Sequence, residues 1–189
     1  MNVNMANTAL LLMDFQNGIA AGRDEAVSNA VVAAEAARSA GIPVVFVRVA
    51  FRPGYPEVSP NNLRFAQTAA NAGDAMTVDS PNTQIVEALA PRANEPIVVK
   101  KRFSSFTGSD LEVILRGLGA THLVLAGIST AGVVLSTLRQ AADLDYRLTV
   151  LADACADGDP EVHRVLTEKV FPMQAQVLST AEWAASVSA

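Results

Sequence analysis

Short apolar runs punctuate the chain, and longer helix-patterned segments fill the intervals between them. Thr8–Met13 (TALLLM), residues 43–49 (PVVFVRV), Ile97–Lys100, and residues 123–126, 148–151 and 177–178 read as strands. A run with no polar alternation is buried on both faces, and strands separated by helices pair in parallel. The pattern predicts an α/β fold of three layers, α/β/α, around a roughly six-stranded, parallel, Rossmann-like sheet. No segment repeats another and no linker interrupts the pattern, which predicts a single domain over residues 1–189.

The intervals are read the same way. Residues 23–40 are Ala-rich and helical until Gly41 stops them. Residues 50–80 carry few periodic signals and read as irregular. Asn82 reads as the cap of a short helix over 83–89. Ser109 or Asp110 opens a helix ending near Gly117, and another runs from about Ala131 to Leu144. Pro160 sits in the first turn of the next, as proline prefers, and Thr180 reads as the cap of a terminal helix.

Composition excludes several classes of function. The formal charge is −5 and the longest basic run is Lys100-Lys101-Arg102, too short to track a phosphate backbone, so no nucleic-acid partner is expected. No apolar stretch approaches the ~20 residues that span a bilayer, and the first residues lack the basic start and small-residue cleavage site of a signal peptide. A single cysteine suits a reducing cytoplasm. The two histidines, His122 and His163, have no ligand spacing around them, so neither a metal nor another cofactor is expected.

In parallel sheets ligands bind outside the carboxyl ends of the strands. That places the search at Asp14, Arg48, Lys100, the turn 127–130, and Asp153 with Cys155. Asp14-Phe15-Gln16-Asn17 packs three polar side chains onto an apolar strand exit, where they must be satisfied or functional. Lys100 and Lys101 alternate in direction, so at most one enters a given pocket. Cys155 reads as a small core residue, since free cysteine is usually buried and inert. His163 reads as surface. Phe46, Phe51, Phe103 and Phe106 read as core, the last two flanking the exit of the third strand.

The ordered set LLLMDFQN, KKRFSSFTGSDL, LVLAGISTAGVVLSTLRQAA and LADACADGDPEVH resembles the isochorismatase-like hydrolase superfamily over about residues 8–178. That superfamily includes cysteine amidohydrolases such as nicotinamidase and N-carbamoylsarcosine amidase. Its signatures are similar to D-x-Q, K-x-R-[YF]-S-x-F and G-[VI]-x-T-x-x-C-V. The resemblance implies that Asp14 is the general acid/base and Lys100, not Lys101, its electrostatic partner. It implies that Gln16, Arg102, Phe103, Ser129, Thr130 and Gly132 contact substrate, and that the Ile128–Ser129 peptide is cis. It also implies a homodimer or larger homo-oligomer.

The nucleophilic cysteine of the signature falls on Val133. A valine cannot form a thioester, so covalent cysteine catalysis at that position is excluded. Isochorismatases are similar in lacking this thiol: they place glycine there and cleave an enol ether by protonation and water addition. Three readings follow. One is a thiol-independent hydrolase of a small, anionic substrate; another is an inert relative that binds a metabolite or partner. The third is an amidohydrolase in which Asp14 activates water.

Overall fold

Strand β1 (Thr8–Met13) is buried along its whole length, and its alternate residues feed two different cores. Ala9, Leu11 and Met13 enter one cluster; Leu10 and Leu12 enter the other. That is the period-two geometry of a strand sandwiched between helical layers. The computed structural model describes residues 7–188. Strands β2 (Val44–Val49), β3 (Ile97–Lys100), β4 (His122–Ile128), β5 (Arg147–Ala156) and β6 (Gln176–Leu178) complete an all-parallel sheet in the order β3–β2–β1–β4–β5–β6. The expected six-stranded α/β sheet is therefore present. Chain order reverses between β1 and β4, which opens a crevice at their carboxyl ends.

Helices α1 (Asn17–Ala20), α2 (Asp24–Ser39), α3 (Leu63–Asn71), α4 (Leu111–Gly117), α5 (Leu135–Asp143), α6 (Pro160–Val165) and α7 (Thr180–Val187) follow in chain order. Helix α2 buries Ala26, Ala30, Ala33, Ala34 and Ala37, a stripe of small side chains at helical spacing that lets its backbone lie close on the sheet. Gly41, at φ 69, ends the segment in a conformation that costs glycine little. No helix among the described residues is long and apolar enough to cross a membrane.

Several local expectations are corrected. Residues 50–80 are not irregular throughout: α3 lies within them, capped by the Asn62 side chain on the Phe65 amide. Phe65 joins Val49, Phe51 and Tyr55 in a small third apolar cluster that holds this segment against the sheet. Residues 83–89 form no continuous helix. Two 3₁₀ turns, Pro81–Thr83 and Glu87–Leu89, flank an extended stretch in which Ile85 bridges to Gln16. The terminal cap is Ser179, in a reciprocal box with Glu182, while Thr180 instead binds Asp153. Strand β5 outruns its expected end at Leu151, because a bulge resets the register so that Cys155 pairs with Gly127.

His122 shows the cost of a polar group in this sheet. It is buried at the start of β4, between the hydroxyls of Thr8 (3.3 Å) and Thr149 (2.9 Å). Burial, with Arg147 adding to it, pushes its imidazole down to about 4 from 6.5. The unfolded chain therefore binds the proton more readily than the folded one. Stability is complete above about pH 6.5 and is lost as pH falls through 4. The full shift corresponds to roughly 3 kcal/mol at about 1.4 kcal/mol per unit. Thermal melts between pH 7.5 and 4 should show this decline, and His122→Asn should flatten it; an equally steep variant profile would assign the loss to other groups.

Candidate active site

The crevice between β1 and β4 opens into a cavity of about 440 Å³. Asp14 leaves β1 with φ 59, a left-handed conformation that aspartate tolerates better than most side chains. The register sets Met13 opposite Gly127, so the exits of β1 and β4 lie side by side. Gly127 has no room for a side chain, since a Cβ there would stand 2.7 Å from the Met13 carbonyl oxygen. Gly127→Ala should thus strain two central strands at once, by roughly 1–3 kcal/mol. A lowered denaturation midpoint checks this; an unchanged one would mean the strands can move apart.

Asp14 Oδ2 meets Lys100 Nζ at 2.9 Å, with both side chains almost fully buried. The strands that carry them are not neighbours. Strand β2 lies between, and the long lysine side chain reaches past its end, where Val49 pairs with Lys100. Lys100 Nζ also donates to the Arg102 carbonyl at 3.0 Å. Lys101 points elsewhere, donating to the Val99 carbonyl. Asp14 Oδ1 is buried with no hydrogen-bond partner among the described residues. Burial holds the Asp14 carboxyl above the ordinary 3.8, with Lys100 acting in the opposite direction.

Across from this pair runs a turn of π-helical geometry, Thr130–Val134, which replaces the expected plain start of helix α5. The Ile128–Ser129 peptide before it is cis, as the motif implied. Ser129, Gly132 and Val133 line the cavity beside Asp14 and Lys100, and so does Phe103, whose ring lies 4.9 Å from that of Phe65. Gly132 is tightly placed, since a Cβ would come within 2.7 Å of Ser129 Oγ. Ser104 and Ser105 moor the loop bearing Phe103 to α5 through Gln140 and Thr137.

Three residues expected at the substrate are turned to other tasks. Gln16 is fully buried, and its amide is spent on the Val49 N–H and the Val49 and Thr83 carbonyls, closing the strand exit. Arg102 donates to the carbonyls of Lys101 and Glu57, tying β3's exit to the segment after β2. Thr130 is fully buried and pairs through its hydroxyl with His163 Nδ1 at 2.8 Å. His163 is therefore no bare surface residue. With Asp157, which accepts from the Ala131 N–H at 2.7 Å, it grips the turn from outside. Sequence reading also missed Arg23, Arg64, Thr68 and Met76 in the cavity wall. Only the asparagine cap before α3 hinted at the element that supplies two of them.

Residues 8–182 match the family model described as Isochorismatase domain. The chain belongs to the isochorismatase family. An uncharacterized isochorismatase family protein, YecD, of Escherichia coli O157:H7 is 32% identical over 188 residues, 96% of this chain and 97% of its own. Ureidoacrylate amidohydrolase RutB of Pseudomonas syringae pv. syringae (strain B728a) is 34% identical over 177 residues, covering 82% of this chain and 72% of that protein. Among solved structures, N-carbamoylsarcosine amidase from Thermoplasma acidophilum superposes with a TM-score of 0.74 at 28% identity, over 92% of this chain and 96% of the other. RutB and N-carbamoylsarcosine amidase are named for hydrolytic reactions, and this isochorismatase-family chain is a hydrolase by kinship.

The chain's one cysteine is not in this cavity. Cys155 lines a neighbouring cleft of about 550 Å³, and burial pushes its thiol up to about 12. At pH 8 roughly one molecule in 10⁴ would carry the thiolate, the reactive form. In the native protein a disulfide reagent such as DTNB should therefore react slowly at pH 8, with full reaction only in denaturant. Prompt labelling of the folded chain would show an accessible thiol.

Proposed function

We propose that this isochorismatase-family hydrolase acts on a small, anionic substrate without a cysteine nucleophile, with Asp14 as general acid/base and Lys100 as its electrostatic partner. The observation that carries the proposal is the buried Asp14–Lys100 pair at the cavity floor with the hydrocarbon of Val133 facing it. A folded scaffold gains nothing from such a pair that an apolar pair would not supply. Valine offers no electron pair, so no covalent intermediate forms at position 133, and in this reading water adds directly.

Enol-ether cleavage fits these groups. Protonated Asp14 delivers its proton to the carbon–carbon double bond, and positive charge develops on the ether-bearing carbon. Water adds there, returns a proton to the carboxylate, and the resulting hemiketal collapses to a ketone and an alcohol. The raised proton affinity of Asp14 keeps a fraction of the acid form available at higher pH than an ordinary carboxylate would. When the hemiketal collapses, an amide near Val133 would polarise the departing oxygen, which gains electron density. The amidohydrolase names of relatives favour a second reading, in which ionised Asp14 activates water against an amide or urea.

A panel of enol ethers, small amides and ureas separates the two, and pH decides between the roles of Asp14. If the acid form is the active one, kcat/KM falls tenfold per pH unit above the Asp14 pKa. If the base form is, kcat/KM rises through the same range. The falling limb is the expected one, breaking above 3.8. Asp14→Asn should lose about 10²–10⁴-fold, because an amide keeps the shape and cannot exchange a proton. Lys100→Met should also lower turnover. Iodoacetamide should leave the natural protein active and should inactivate or label Val133→Cys, whose thiol would stand beside the buried pair. Activity that survives Asp14→Asn but disappears in Cys155→Ser would overturn the proposal.

A further inference from the structure

The cavity has a charge pattern that its motif residues do not explain. Its charged lining side chains are Asp14, Lys100, Arg23 and Arg64. The first two neutralise each other at 2.9 Å, which leaves two guanidinium groups without an ion pair among the described residues. Arg23 makes only a long 3.4 Å bond to the Gly22 carbonyl. The Arg64 guanidinium has no partner among the described residues. By contrast, Arg38, Arg52, Arg92, Arg116 and Arg164 are all in ion pairs with glutamates. The two unpaired cations come from different segments, one immediately before α2 and one in the first turn of α3. They converge on one cavity all the same.

Depth gives them their place. Asp14 and Lys100 are buried at the floor, whereas Arg23 is half-buried and Arg64 exposed, so the arginines stand at the mouth. The neighbouring cleft has the opposite polarity: Asp24, Glu25, Asp153 and Asp157 line it against a single arginine, the shared Arg23. A small anion arriving at this end of the sheet is therefore drawn to one opening and repelled from the other. Guanidinium forks match the planar oxygens of a carboxylate or the oxygens of a phosphate ester, and the pairing is stronger than with neutral acceptors.

We propose that Arg23 and Arg64 form an anion subsite at the cavity mouth, so that the substrate is a small organic acid held there by its carboxylate or phosphate while its labile bond lies over Asp14. The inference rests on the reading of this cavity as the active site. It assigns binding specificity to two residues outside every catalytic motif, and leaves the chemistry to the floor.

The test uses 2-methoxyacrylate and its methyl ester, two enol ethers that differ in one negative charge. Hydrolysis of the acid consumes one water and releases pyruvate and methanol. The natural protein should prefer the acid, and Arg23→Gln and Arg64→Gln should each lower the acid-to-ester ratio of kcat/KM by about tenfold or more, chiefly through KM. The lysine variants at both positions should recover part of that ratio. Competition by acetate and by inorganic phosphate at fixed ionic strength tells which anion the pair prefers; competition by neither would overturn the subsite. Equal turnover of acid and ester, or a ratio untouched in both glutamine variants, would overturn it as well while leaving the chemistry of Asp14 intact. Isothermal titration of 2-methoxyacrylate covers the reverse case. Arginine-dependent binding without turnover would uphold the subsite and sink the proposed enol-ether reaction.

Discussion

A lysine ammonium and an aspartate carboxylate, both removed from water and 2.9 Å apart, set the terms for everything around them. Neither charge would be tolerable alone at that depth, since removing one partner of such a pair typically costs about 3–5 kcal/mol. The fold meets the requirement with three separate devices. A left-handed residue at the exit of β1 carries the carboxylate, a lysine long enough to pass the end of β2 carries the ammonium, and the Arg102 carbonyl fixes the ammonium a second time. One carboxylate oxygen is left over. Asp14 Oδ1 has no hydrogen-bond partner among the described residues, and burial outweighs Lys100 in raising the carboxyl's proton affinity. The same geometry that endangers stability prepares a carboxyl group to give and take protons.

The turn facing that pair is held with equal care, though it carries no nucleophile. His163 and Asp157 grip it from outside, and Gly127 just before it lets β4 approach β1 more closely than a side chain would permit. Such support would be superfluous for a loop that merely connects β4 to α5. It fits the substrate-facing turn proposed above, a role that does not depend on whether a thiol or a valine occupies position 133. In the proposed reaction, valine at this position means that no thioester forms there. The donors, the carboxyl group and its cation remain.

How much of this was legible in the sequence differs by level. The strands stood out because both of their faces are buried, which confines the polar residues of β1 and β4 to Thr8 and His122 at their first positions. The motif residues Asp14, Lys100 and Val133 could be brought together because each ends or follows a strand of one parallel sheet. Gln16 shows where that reasoning stops: the same motif that marks a catalytic aspartate also contains the amide that satisfies the buried backbone at Val49 and Thr83. Spacing cannot separate those two uses. Helix α3 was missed because it is short and Phe65 alone of its residues is buried, so its docking depends on a small cluster assembled from distant segments. The bulge in β5 and the His163–Thr130 bond are likewise tertiary, between elements far apart in the chain.

The cavity is thus built from two kinds of material. Its floor comes from strand exits locked into the hydrogen-bonded register of the sheet, where a shift of one residue would turn a side chain to the opposite face. Part of its outer wall comes from the segment between β2 and β3, which rests on its own small cluster of Phe51, Tyr55 and Phe65 and contributes Arg64, Thr68 and Met76. A substitution in the floor disturbs two central strands or a buried charge pair. A substitution in that wall disturbs one exposed helix and leaves the sheet alone. The physical cost of change is therefore lowest at the outer wall of the cavity and highest at its floor. A fold partitioned in this way can retain one set of proton-transfer groups while its wall residues are exchanged to suit different small molecules.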